Sequence, residues 1–128
     1  MQFEKLEVWK RSARLASNVY KLMATCKDYG FKDQITRSAL SIPSNIAEGL
    51  ERETDKDESR FLYYAKGSSG ELLTQTFIGI DIGYIDNAEG KKIITECREL
   101  SAMIAALIKL RKGFVREGSE QYTVEPRT

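Results

Sequence analysis

At 128 residues, 41% of them hydrophobic and 30% charged, the chain has the size and composition of one globular domain that can bury a core without disulfide or metal staples. It contains no histidine, which removes the usual general base, the triad imidazole and the commonest metal ligand, and with them most hydrolase and metalloenzyme chemistries. The net charge of +1 conceals an uneven distribution. Residues 1–40 carry eight Lys/Arg against four Asp/Glu, residues 41–90 four against ten, and residues 91–128 eight against five. Such an asymmetry steers nucleic acid or a protein partner, or else marks complementary faces that meet inside one bundle or oligomer. No apolar run is long enough to span a bilayer, and the first ten residues mix both charges among their apolar positions, unlike a secretory signal. A cytoplasmic protein with no membrane contact is expected. Cys26 and Cys97 are far apart and lack CxxC spacing, so they read as reduced thiols, with Cys97 in the core.

Taken in chain order, apolar residues fall at Phe3, Leu6, Trp9, Ala13, Ala16, Tyr20 and Met23, steps of three or four, with Leu15, Val19 and Leu22 widening the stripe. This spacing predicts a first helix from Phe3 to about Cys26. The stretch Asp28–Asp33 supplies a glycine turn and an N-cap at Asp33 for a second helix through Ile35, Ala39, Ile42, Ile46 and Leu50. A charged link, residues 51–60, follows, with Thr54 or Asp55 able to cap a third helix. That helix carries Leu62, Ala65, Ser69, Leu72, Thr76 and Ile80 inward and ends near Gly83. The fourth opens at Asn87 and runs through Ile93, Ile94, Cys97, Leu100, Ile104, Leu107 and Ile108 to a stop at Gly113, with Lys109, Arg111 and Lys112 serving its last turn. Residues 114–128 are polar, lack a helical stripe and contain Pro126, and read as a loosely held tail. Four helices on short links predict an all-α, up-down-up-down antiparallel four-helix bundle over residues 1–113.

The second helix is the least ordinary. Arg37, Ser41, Asn45 and Glu48 lie together on the face roughly opposite Ile35, Ala39, Ile42, Ile46 and Leu50, while Leu40, Pro43 and Ala47 extend the apolar sector sideways. That is more apolar surface than one neighbour covers, so packing on two sides is expected. Pro43 has no N–H for the Ala39 carbonyl. Either the helix bends there and a serine hydroxyl or water serves that carbonyl, or the helix breaks and Asn45 starts a new one with Glu48 in capping-box spacing. In the third helix Gly67-Ser-Ser-Gly70 is unusually small, which suits close helix approach. As a phosphate loop it lacks both the preceding strand and the following Lys-Ser/Thr.

The segments Phe3–Trp9, Gln34–Gly49 with Arg52, and Phe61–Leu72 resemble the motifs of the four-helix bundle family of proteins encoded in 23S rRNA intervening sequences, over roughly residues 2–112. The ordered motif of the second helix, Gln34-Ile-Thr-Arg-Ser-Ala-Leu-Ser-Ile-Pro-Ser-Asn-Ile-Ala-Glu-Gly49, is its most specific part. The resemblance implies an up-and-down bundle that assembles into a ring-shaped homopentamer, with Pro43 carried inside the second helix. It also implies a distant relation to retroelement accessory proteins that bind a reverse transcriptase and nucleic acid. Those proteins are strongly basic, whereas this chain is nearly neutral, so nonspecific phosphate contacts should be weaker here.

Two chemical constellations remain. Glu48 and Glu71, on neighbouring helices, could act as an acid/base pair or half a di-metal site, but bundle di-iron sites use Glu-x-x-His, which a chain without histidine lacks. The preferred reading joins them with Arg37, Ser41, Asn45, Arg52 and Ser68 in a polar network within the bundle or between subunits, with no cofactor. Lys10, Arg11, Arg14 and Lys21 gather on one side of the first helix, either a solvated face or a nucleic-acid contact with little aromatic interleaving. The sequence thus predicts a non-enzymatic homo-oligomer that scaffolds RNA or a protein partner, with direct RNA or DNA binding as the alternative.

Overall fold

A computed structural model describes residues 2–120, with side chains as far as Arg111. The helices are α1 (Glu7–Leu22), α2 (Tyr29–Leu50), α3 (Asp55–Asp81) and α4 (Asn87–Glu120), preceded by a 3₁₀ turn at Phe3–Lys5. Each helix packs on its neighbours in sequence and α1 also meets α4, the sparsest of the four seams. The diagonal pairs α1–α3 and α2–α4 make no close approach among the described residues. This is the expected antiparallel four-helix bundle. Its core is built from Val8, Leu15, Val19 and Met23 of α1 and the α1–α2 link, Ile35, Ile42 and Ile46 of α2, Leu62 and Leu72 of α3, and Cys97, Leu100 and Ile104 of α4. Each fully buried Leu or Ile contributes about 2 kcal/mol of apolar transfer free energy.

The helix ends differ from the expectations in instructive ways. Leu6 is extended, so α1 starts one turn later than Phe3, and the 3₁₀ turn folds Phe3 edge-on against Trp9 at 5.3 Å between ring centroids. The cap of α2 is Asp28, not Asp33. Its carboxylate accepts the Phe31 N–H at 3.1 Å, and the helix begins at Tyr29 with Gly30 inside the first turn. Asp33 lies one turn further in and pairs with Arg37 at 3.0 Å. Of the two candidates Thr54 and Asp55, Thr54 caps α3, accepting the Asp57 N–H at 3.1 Å. Gly83, at φ 81°, closes α3 in a left-handed turn, with Tyr84 N–H donating to Gly79 O and Gly83 N–H to Ile80 O. Asp86 caps α4 through the Glu89 N–H at 3.2 Å. Gly113 does not end that helix, which continues to Glu120. The tail expected over 114–128 is therefore helical over its first seven residues, and residues 121–128 lie outside the described ones.

α2 is unbroken through Pro43. The alternative of a fresh start at Asn45 fails because the Asn45 side chain points backward, its Nδ2 donating to Ser41 O at 2.9 Å and Ser41 Oγ at 2.8 Å. The bundle's registry is fixed by two adjacent serines of α3. Ser68 Oγ shares a hydrogen bond with Ser41 Oγ of α2 at 2.8 Å. Ser69 Oγ donates to Cys97 O of α4 at 3.0 Å and accepts from Ser101 Oγ at 2.9 Å. Gly49 allows the α2–α3 crossing to close up, since a Cβ there would stand 3.1 Å from both Glu58 O and Phe61 Cβ.

Candidate assembly surface

The core stripe of α1 is Val8, Ser12, Leu15, Ala16, Val19 and Met23. It is rotated from the expected one, and Trp9, Ala13 and Tyr20 fall on the shoulder. Tyr20 is 44% exposed. The sideways apolar sector of α2 faces this shoulder: Leu40 is 48% exposed, with Pro43 and Ala47 beside it. Between the two helices runs an open apolar groove of about 670 Å³, walled by Trp9, Ala13 and Tyr20 on one side and Leu40, Pro43 and Ala47 on the other. Pro43, itself buried, lines this groove together with Phe3 of the 3₁₀ turn.

α3 presents a second uncovered face. Tyr63, Gly67, Gly70, Thr74 and Phe77 follow at steps of three or four, with Ile78 next to the last, on the side opposite its core positions Leu62, Ala65, Ser69, Leu72 and Thr76. Tyr63, Phe77 and Ile78 are each nearly half exposed, and a Cβ added at Gly67 or Gly70 would meet nothing within 4 Å. The glycines therefore do not serve close approach inside the bundle as expected. The serines between them do that. From Gly67 to Ile80 the only charged residue is Glu71, whereas the solvent side of a surface helix is ordinarily charged.

Of the expected polar network, Ser41, Asn45 and Ser68 come together at the α2–α3 seam. The rest do not join it. Arg37 pairs with Asp33, while Glu48 pairs with Arg52 at 2.6 Å along the same helix. The Arg52 guanidinium also stacks 4.5 Å over the Phe61 ring. Glu71 is exposed on α3, and within the chain Glu48 pairs with Arg52 and not with Glu71. Among the described residues no group of three His, Cys, Asp or Glu side chains is placed to hold a metal.

The basic face of α1 is also rearranged. Arg11 turns inward to α4, its Nε 3.0 Å from Glu96 Oε2 and its Nη2 2.5 Å from Glu96 Oε1 and 2.6 Å from Glu99 Oε1. Those carboxylates raise the arginine's pKa further and neutralise its charge. Lys10 stays exposed, and Arg14 and Lys21 line a groove of about 640 Å³ on the α1–α4 seam that also holds Lys92, Glu89 and Glu96. At the far end of the same helix pair's neighbour, Arg111 Nε stands 2.8 Å from Glu58 Oε1, and burial pushes the Glu58 carboxyl up despite that cation. Cys97 is fully buried and its thiol is pushed up to about 12 by desolvation, whereas Cys26 is partly exposed.

The fold is that of an all-α four-helix bundle, with no helix among the described residues long and apolar enough to cross a membrane. The chain belongs to the 23S rRNA-intervening sequence protein family, whose model matches residues 4–106. No curated protein matches it. A crystal structure of a protein of unknown function from the S23 ribosomal protein family of Bacteroides thetaiotaomicron shares the fold at a TM-score of 0.75. It is 24% identical, and the alignment covers 80% of this chain and 98% of that one.

Proposed function

We propose that the protein is a non-enzymatic, cytoplasmic building block that assembles into a homo-oligomer, a ring of five, and in that form scaffolds RNA or a protein partner. The observation that carries this reading is the apolar groove between α1 and α2, where Tyr20 and Leu40 stand nearly half exposed beside the partly buried Trp9, although the same chain has a complete core elsewhere. An isolated domain gains nothing from displaying a phenol ring and a leucine side by side. A further copy that covers them removes that area from water. The lack of histidine and the dispersal of Glu48 and Glu71 support the non-enzymatic side of the proposal. Light scattering on purified protein tests it: a mass several times 14.5 kDa is expected at micromolar concentration, and a strict monomer throughout that range would overturn it.

Direct nucleic-acid binding is the second reading, favoured by Lys10, Arg14 and Lys21 on the outside of α1 beside the α1–α4 groove. It predicts affinity that falls steeply with added salt and weakens in a Lys10, Arg14, Lys21 charge-removal variant. Arg11 is not part of that surface, because Glu96 and Glu99 occupy it. Absence of binding to single- or double-stranded RNA or DNA at low salt would exclude this reading.

A further inference from the structure

We infer that the occupant of the α1–α2 groove is the outward stripe of α3 from a second copy of this chain, so that each copy offers one face as groove and the other as ridge. The inference rests on the assembly reading above and adds which surfaces meet. Three observations on the two faces carry it.

The first is shape. Gly67 and Gly70 leave the middle of the stripe flat, with open space where side chains would stand, while Tyr63 at one end and Phe77 and Ile78 at the other project from it. Fifteen residues separate Tyr63 from Ile78, about 22 Å of helix, against about 17 Å for the α1 wall from Trp9 to Tyr20. The ridge therefore spans the groove, with its bulky ends at the groove mouths and its bare centre over Ala13, Pro43 and Ala47. The glycines cost helix stability that nothing within the monomer recovers, and a close backbone approach by a second chain recovers it.

The second is charge. α1 carries four Lys/Arg against one Asp/Glu, with Lys21 lining the groove, whereas α3 carries five Asp/Glu against three Lys/Arg, with Glu71 beside the glycines. Groove against groove would bring the lysines of both copies together. Ridge against ridge would bring the two Glu71 side chains to the same small centre. Only groove against ridge sets opposite charges across the contact.

The third is the pattern of α3 itself. It is apolar or small on its inner and its outer face from Gly67 to Ile80, with Glu71 its only charge there, the composition of a helix buried on both sides. Within the monomer its inner side is buried, while the outer side stays about half exposed at Tyr63, Phe77 and Ile78, with the Arg98 guanidinium 5.9 Å over the Phe77 ring. Because groove and ridge lie on different helices of one copy, the contact is head-to-tail, and such contacts close into rings when the rotation permits.

The test uses the full chain with one substitution on each face. Gly70→Arg projects a charge from the ridge into open space in the monomer, and Leu40→Glu places one in the groove at a half-exposed position. Both are expected to keep the wild-type circular dichroism spectrum and to drop to single-chain mass by light scattering. Mixed at high concentration, they are expected to form one-to-one pairs, because Gly70→Arg keeps an intact groove and Leu40→Glu an intact ridge. A Gly70→Arg protein that keeps the wild-type oligomer mass overturns the inference and leaves the assembly reading standing. Variants that separate but do not pair overturn it too, in favour of a symmetric contact. A wild-type chain that is itself monomeric overturns the assembly reading on which it rests.

Discussion

Gly49 is the position where the packing of α2 on α3 makes its sharpest quantitative claim. Replacing a helical glycine by alanine ordinarily gains up to about 1 kcal/mol of helix propensity, and Gly49 lies in the last turn of α2, where that gain is at most this large. Here the added Cβ would stand 3.1 Å from the backbone oxygen of Glu58 and 3.1 Å from Phe61 Cβ, neither of which is the free end of a flexible side chain. Overpacking against such neighbours costs about 1–3 kcal/mol, so Gly49→Ala should lose about 1 kcal/mol net. With an unfolding entropy of about 2.1 cal/mol/K per residue, that corresponds to a fall of about 4 °C in Tm. Gly30→Ala is the matched control. Its Cβ would meet only Asp28 Oδ1 at 3.6 Å, an ordinary contact, and its Tm should stay level or rise. Thermal unfolding by circular dichroism at one fixed protein concentration compares them. A Gly49→Ala chain as stable as Gly30→Ala would show that α2 and α3 do not cross this closely.

Removing Arg11 leaves Glu96 and Glu99 one turn apart with no cation between them, so Arg11→Ala should cost about 1 kcal/mol in urea unfolding after allowing for partial exposure, with the loss shrinking in high salt. Ellman's reagent should titrate one thiol, Cys26, in the folded chain and a second, Cys97, only on unfolding, because Cys97 is buried with its pKa pushed up to about 12. The Asp28 carboxyl is held below the usual aspartate range, first by the Phe31 N–H and next by the Tyr84 hydroxyl at 2.9 Å. A lowered folded pKa means that this contribution is present above the unfolded pKa and is lost as the pH falls through the folded one. Tyr84→Phe should therefore move the Asp28 titration upward in an NMR pH series without abolishing the α2 cap. An unmoved titration would show that the tyrosine does not reach the carboxylate in solution.

The bundle was legible from apolar spacing because helix pairing depends on which positions are buried, and the core positions of α2, α3 and α4 follow the expected steps, with Ile80 and Leu107 only partly buried. The cap of α3 was narrowed to Thr54 or Asp55, and Thr54 holds it. The cap of α2 was placed at Asp33 instead of Asp28, because spacing does not reveal which carboxylate meets the N–H groups. α1 was misread by rotation. Large aromatic residues count as core in any periodicity, yet Trp9 and Tyr20 sit on the shoulder while the small Ser12 is fully buried, its hydroxyl bonded to Trp9 O at 3.0 Å. The polar network was half legible: Ser41, Asn45 and Ser68 meet, whereas the long side chains of Arg37 and Glu48 found partners one turn away on their own helix, as exposed ion pairs commonly do. The outward stripe of α3 was missed, although its signal was present in the run from Gly67 to Ile80, where Glu71 stands as the only charge.

The central claim is that the uncovered apolar faces exist to be covered by further copies of the chain, five in all. Native mass spectrometry counts the copies directly. A single dominant species at five times 14.5 kDa is the predicted result, and a spectrum containing only the 14.5 kDa chain would contradict the account.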